Sequence, residues 1–160
     1  ELVKVLVENG ANVNAQGMGE NALHAAAWER NLDVVQFLVQ NNADVNVQGG
    51  QYGNALHAAV WKQDLNIVKF LVENNADVNA QGGFFGYALQ AAASRGNIDI
   101  VKFLVENNAD VNAQGGEYGN ALNVAAYHGH LHIVKYLVEH GADIMAQGLH
   151  GTALQAAKHG

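Results

Sequence analysis

The chain has 160 residues, a hydrophobic fraction of 49% and a formal charge of -7, with only 8 Lys plus Arg against 15 Asp plus Glu. No run approaches the ~18 consecutive apolar residues of a membrane span, and so few cations argue against a nucleic-acid surface, which needs clustered positive charge to release phosphate counterions. The lack of cysteine rules out disulfides, thiolate metal sites and a cysteine nucleophile. Nothing resembling a secretory signal precedes Glu1, so an intracellular, cytoplasmic origin is expected.

The pair Ala-Leu recurs at Ala22-Leu23, Ala55-Leu56, Ala88-Leu89 and Ala121-Leu122 in steps of 33 residues, then at Ala153-Leu154 after 32. Self-similarity at this period marks a repeat array, whose core lies between neighbouring units instead of around one centre. A single repeat domain over 1–160 is expected. It divides into a half repeat over 1–15, full repeats over about 16–47, 48–80, 81–113 and 114–146, and a half repeat over 147–160.

In chain order, Glu1 to Gly10 aligns with Asp33 to Asn42, which predicts the second helix of a unit whose first helix is missing. Four helix pairs follow, beginning near Ala22, Ala55, Ala88 and Ala121, and the chain stops just after a further first helix. First helices such as Ala22 to Glu29 are short and alanine-rich; with eight residues, against the ~12–15 that an isolated helix needs, they depend on stacking. Second helices such as Leu32 to Asn41 place Leu32, Val35, Leu38 and Val39 on one face and Asp33, Gln36 and Gln40 on the other. Asn31, Asp64 and Asn97 stand where a side-chain oxygen caps these helices, with His130 a poorer cap in the fourth unit. The residues before the caps, Arg30, Gln63, Gly96 and Gly129, sit at turns that favour a left-handed backbone, at a cost of about 1 kcal/mol for each non-glycine. Gly10, Asn42, Asn75, Asn108 and Gly141 are expected to end the second helices in the same conformation. The outermost units carry Leu2, Val3, Val5 and Leu6 at one end and Ala153, Leu154, Ala156 and Ala157 at the other, where capping repeats are usually polar. This reads as a segment of a longer array, with end-to-end self-association through those faces an expected hazard.

The phrase Asn21-Ala22-Leu23-His24-Ala25-Ala26, then Leu32 to Val39, then Asn42-Ala43-Asp44-Val45-Asn46, closely resembles the ankyrin repeat, and the match recurs in register over nearly the whole chain. Departures are consistent. The usual proline is alanine, the threonine is Asn21, Asn54, Tyr87, Asn120 or Thr152, and the middle turns read Gln-Gly-Gly-x-aromatic-Gly before Asn-Ala-Leu or Tyr-Ala-Leu. Asparagine can replace the lost helix-start residue by capping. The resemblance implies an all-α, ankyrin-type solenoid of antiparallel helix pairs with projecting hairpin-like loops and a concave groove that binds proteins.

No catalytic, cofactor or metal site is read from the sequence. His24 and His57 share a slot with Gln90, Asn123 and Gln155, so the slot needs a hydrogen-bonding side chain, not a proton shuttle. His128, His130 and His132 could in principle make an open zinc site, but His130 fills a family position and its neighbours lie in variable slots. The recurring Asp44-Val45-Asn46, Asp77-Val78-Asn79 and Asp110-Val111-Asn112 read as turns that satisfy local backbone groups. Leu71 to Ala80 also resembles ankyrin segments hydroxylated at asparagine, which makes Asn79 a candidate modification target. None of the 18 glycines belongs to a phosphate loop.

A slot that determines the fold should be uniform, so binding is assigned to those that vary. They are Trp28 and Glu29, Trp61 and Lys62, Ser94 and Arg95, Tyr127 and His128 at the ends of the first helices, and Met18, Glu20, Gln51, Phe84, Glu117 and Leu149 in the loops. By resemblance they line the groove. Tyr52, Phe85 and Tyr118 recur in one slot and are assigned to loop packing. The resulting expectation is a non-enzymatic module that binds a protein or peptide, with no nucleic acid or membrane as partner. A structural spacer or self-assembling array, or an engineered ankyrin-type scaffold, is the alternative.

Overall fold

The computed structural model describes residues 2–17, 20–49 and 52–160. Ten helices appear among them: α1 (Leu2–Glu8), α2 (Ala22–Trp28), α3 (Leu32–Gln40), α4 (Ala55–Trp61), α5 (Leu65–Glu73), α6 (Ala88–Arg95), α7 (Ile98–Glu106), α8 (Ala121–Tyr127), α9 (Leu131–Glu139) and α10 (Ala153–Ala156). The inner layer runs α2, α4, α6, α8, α10 and the outer layer α1, α3, α5, α7, α9, each helix touching its predecessor and its hairpin partner. The chain is a helix-hairpin solenoid. Among the described residues one two-stranded sheet pairs β1 (Gln16–Gly17) with β2 (Glu20–Asn21), and single antiparallel bridges Gly49 to Gly53, Gly82 to Gly86, Gly115 to Gly119 and Gly148 to Gly151 close the later loops.

Each layer is as tight as its side chains allow. Ala27, Ala59, Ala92 and Ala125 are fully buried between inner helices, beside Leu23, Leu56, Leu89 and Leu122. The outer helices contribute Val35, Leu38, Ile67, Leu71, Ile100, Leu104, Ile133 and Leu137 to the same continuous core. A seven-residue alanine helix holds its shape here because both flanks are packed, the stacking that its length requires. At the chain's two ends the stacking stops, and Leu2 and Leu154 are each 71% exposed.

Caps and turns fall where the sequence places them. Asn31, Asp64 and Asn97 accept from the backbone N–H of Val34, Ile67 and Ile100, whereas His130 makes no such bond. Asn21, Asn54 and Asn120 cap the inner helices, while Tyr87 in the same slot makes no cap bond and packs over Gly115. Arg30 and Gln63 adopt φ values of 57° and 59°, and Asn42, Asn75 and Asn108 lie between 66° and 68°. Gln36, expected on the wet face, is half-buried; Asp33 and Gln40 are exposed.

Asparagine also stitches the outer turns together. Asn46 accepts from the Asp77 backbone N–H at 2.8 Å and donates to the Asn75 carbonyl at 3.0 Å. Asn79 does the same to Asp110 and Asn108, and Asn112 to Asp143 and Gly141. Both ends of each amide are therefore committed to the following repeat. The aspartates act within their own turns, Asp77 Oδ1 accepting from the Asn79 backbone at 2.9 Å.

Candidate functional site

An aromatic side chain closes each of the inner helices α2, α4 and α8. Trp28, Trp61 and Tyr127 are only half-buried there, with the rings of the hairpin loops inserted between them. Trp28 stacks on Tyr52 at 4.1 Å between centroids, Tyr52 lies 6.5 Å from Trp61, and Trp61 meets Phe85 at 5.2 Å. Phe85 continues to Tyr118 at 6.4 Å, Tyr118 to Tyr127 at 5.2 Å, and Tyr127 to His150 at 4.7 Å. The result is one ladder of rings that crosses the repeats. Tyr52, Phe85 and Tyr118 do pack the loops, but they pack them against the aromatics that close the inner helices, so the two sets form one surface. The shared signal was the 33-residue recurrence of both sets.

The variable polar slots fall into register with the ladder through contacts 34 residues apart. Lys62 Nζ stands 4.0 Å over the Trp28 ring, the Arg95 guanidinium 4.8 Å over Trp61, and His128 Nε2 lies 3.2 Å from Ser94 Oγ. Each repeat thus lays a polar head on the ring slot of the repeat before it, a contact worth about 0.5–1 kcal/mol at an exposed cation–π pair. The charge beside the ladder changes sign along its length, from Glu20 and Glu29 in the first unit to Lys62 and Arg95 in the second and third.

Two cavities open between the loops. The smaller, about 210 Å³, is bordered by Glu20, Trp28, Glu29, Tyr52 and His24; the larger, about 450 Å³, by Tyr52, His57, Trp61, Phe84, Phe85 and the glycines Gly82 and Gly83. Phe84 stands at the second with 58% of its surface exposed, edge-on to Phe85 at 5.0 Å. Glu117 and Leu149 are exposed in later loops and line neither cavity. Met18 and Gln51 lie outside the described residues.

The histidine slot is a tether. The Asn21 backbone N–H donates to His24 Nδ1 at 3.2 Å, which leaves Nε2–H to donate to the Val47 carbonyl at 2.9 Å. Gln90 Nε2 reaches the Ala113 and Gly119 carbonyls at 3.1 and 2.5 Å, and Asn123 Nδ2 reaches Ala146 at 3.3 Å. His57 points Nδ1 at its cap residue as His24 does, but here Nδ1–H donates to Asn54 Oδ1 at 2.7 Å, and Nε2 is buried with no hydrogen-bond partner within bonding geometry among the described residues. Burial pushes this imidazole down from 6.5 to about 4, against a smaller upward pull from the Gly86 backbone. At the other histidine cluster, His130 Nε2 is 3.1 Å from the Ser94 carbonyl, and the His128 and His130 rings are 6.0 Å apart. Partial burial, then the neighbouring His130, hold His128 below its ordinary value. Among the described residues no group of three or more His, Cys, Asp or Glu is placed to hold a metal ion.

No helix among the described residues is long and apolar enough to cross a membrane. The family description ankyrin repeats (three copies) matches residues 1–82 and again 56–148, together spanning 1–148. No curated protein matches the sequence significantly. Ankyrin repeats are general protein–protein interaction modules, typically non-enzymatic, and commonly occur in intracellular proteins. Periodic sequence, stacked helix pairs, bridged loops and the family match agree: the chain belongs to the ankyrin-repeat family.

Proposed function

We propose that residues 1–160 form one interaction domain of an intracellular, cytoplasmic protein that binds a protein or peptide without catalysis, through the concave groove and loop tips. The observation that carries this reading is the ring ladder from Trp28 to His150, half-exposed on the groove side. Rigid aromatic surface of this kind anchors interfaces at little cost in side-chain entropy. The varied heads beside it, Glu29, Lys62, Arg95 and His128, set orientation more than affinity. Selection from a displayed random-peptide library tests the proposal. Clones enriched on the native chain should lose binding to the Trp28→Ala, Trp61→Ala double variant and keep it with Gln40→Ala on the outer layer, thermal melts reporting the fold of each. Retention by a folded double variant would place binding elsewhere.

A second reading, end-to-end self-association, is favoured by the exposure of Leu2, Leu6 and Leu154 at 71%, 52% and 71%. Light scattering across a concentration series tests it; a molecular mass constant at the monomer value would dismiss it.

A further inference from the structure

The larger loop cavity has a feature that the smaller lacks. Its walls are almost wholly aromatic and apolar, its volume of about 450 Å³ admits one large side chain, and Arg95 is held on the face of Trp61, one of its lining residues, whereas Lys62 lies over Trp28 at the smaller cavity. Neither cation is ion-paired among the described residues, where the single salt bridge joins Arg30 to Asp64. A guanidinium stacked on an indole keeps its N–H edge free and pre-oriented, the geometry that receives a carboxylate through two parallel hydrogen bonds. A cationic ligand, by contrast, would meet like charge and find the Trp28 and Trp61 faces already covered.

Building on the groove-binding reading, we propose that this cavity takes a single apolar or aromatic side chain from an acidic peptide segment, whose neighbouring carboxylate binds Arg95. The chain's charge of -7 does not prevent this, because at physiological salt the field of distant carboxylates is screened within ~8 Å, and beside Trp61 the Arg95 charge dominates. At the smaller cavity Glu20 and Glu29 outnumber the one cation over Trp28, Lys62, and repel the same segment. This difference fixes where along the groove its carboxylates lie.

Three acetylated, amidated peptides test it by titration against the full chain. One carries a phenylalanine between pairs of aspartates, the second replaces the aspartates with lysines, and the third replaces the phenylalanine with glycine. Indole N–H resonances, assigned with Trp28→Phe, report where each binds. The aspartate-flanked phenylalanine peptide should shift the Trp61 indole and bind roughly tenfold tighter than either control, as one charge-assisted pair allows. Arg95→Gln, at an exposed position, should remove most of that advantage while the chain still folds, its melt shifted only slightly by the lost contact with Trp61. Equal or tighter binding of the lysine peptide, equal binding of the phenylalanine-free peptide, or no binding by any of the three overturns the inference. The groove reading stands or falls separately, on whether library-selected peptides survive the double tryptophan variant.

Discussion

Arg30 Nε lies 3.3 Å from Asp64 Oδ2, joining the left-handed turn of one repeat to the helix cap of the next. The other carboxylate oxygen of Asp64 accepts from the Ile67 backbone at 3.2 Å, so one side chain serves both contacts. In the third unit the partners are Gly96 and His130, and there a Cβ at Gly96 would stand 2.7 Å from the imidazole. Turn and cap thus meet across these two repeat boundaries.

The matching separates two substitutions that look alike in sequence. Gln63→Gly should stabilise the fold by up to ~1 kcal/mol, since glycine takes the left-handed turn without strain, less the entropy that it adds to the unfolded chain. Arg30→Gly should gain less or nothing, because it also loses the pair with Asp64, which is worth at most about 1 kcal/mol with Arg30 largely in solvent. Urea midpoints of the two variants measure the difference. A lower midpoint for Gln63→Gly would mean that its side chain stabilises more than the turn costs.

Loop glycines with similar φ should differ sharply in their tolerance of alanine. Gly86 has φ 87° and a Cβ there would lie 2.6 Å from the Gly116 backbone nitrogen, whereas Gly129, at φ 70°, has nothing within 4 Å. Gly129→Ala should cost about 1 kcal/mol, the left-handed penalty alone. Gly86→Ala should cost at least about 2 kcal/mol, because backbone of the next loop must move. Equal costs in thermal melts would show that the loops yield independently.

Asn79→Ala removes two bonds between repeats, to the Asp110 N–H and the Asn108 carbonyl. Both sites are exposed, so water replaces part of the loss, and about 1–2 kcal/mol is expected. Amide exchange at Asp110 should accelerate more than at Asp77, whose N–H bonds to Asn46. Equal acceleration at both would mean global instead of local loosening.

Stability should fall with acidity most of all at His57. His57 titrates near 6.5 when unfolded and about 4 in the fold, so between these values the unfolded chain binds more protons. The stabilisation is complete above the unfolded value and is lost as pH drops from 6.5 toward 4, by up to about 3 kcal/mol. His57→Gln, which copies the third unit's Gln90, should flatten this dependence. An unchanged pH profile in the variant would assign the acid sensitivity elsewhere.

The repeat, its caps and its left-handed turns were legible because each depends on local chemistry that recurs: asparagine as cap, glycine or asparagine at positive φ, alanine where layers meet. The groove was legible only in part. Trp28 and Trp61 stood out as slots that vary, but their partners Tyr52 and Phe85 come from loops that follow them in sequence, and only stacking brings the sets together. The cations were harder still, since Lys62 covers the ring of the preceding repeat and not its own neighbour Trp61. The proton on His57 Nδ1 follows from its partner being the Asn54 side-chain oxygen and not a backbone N–H, which residue type alone does not reveal.

A solution footprint of a bound, library-selected peptide tests the groove assignment most directly. Amide and side-chain resonances should move most at Trp28, Trp61, Phe84 and Tyr127, and stay still at Gln40, Glu73 and Glu106 on the outer helices. Largest shifts on those outer helices, with the ring ladder unperturbed, would contradict the account.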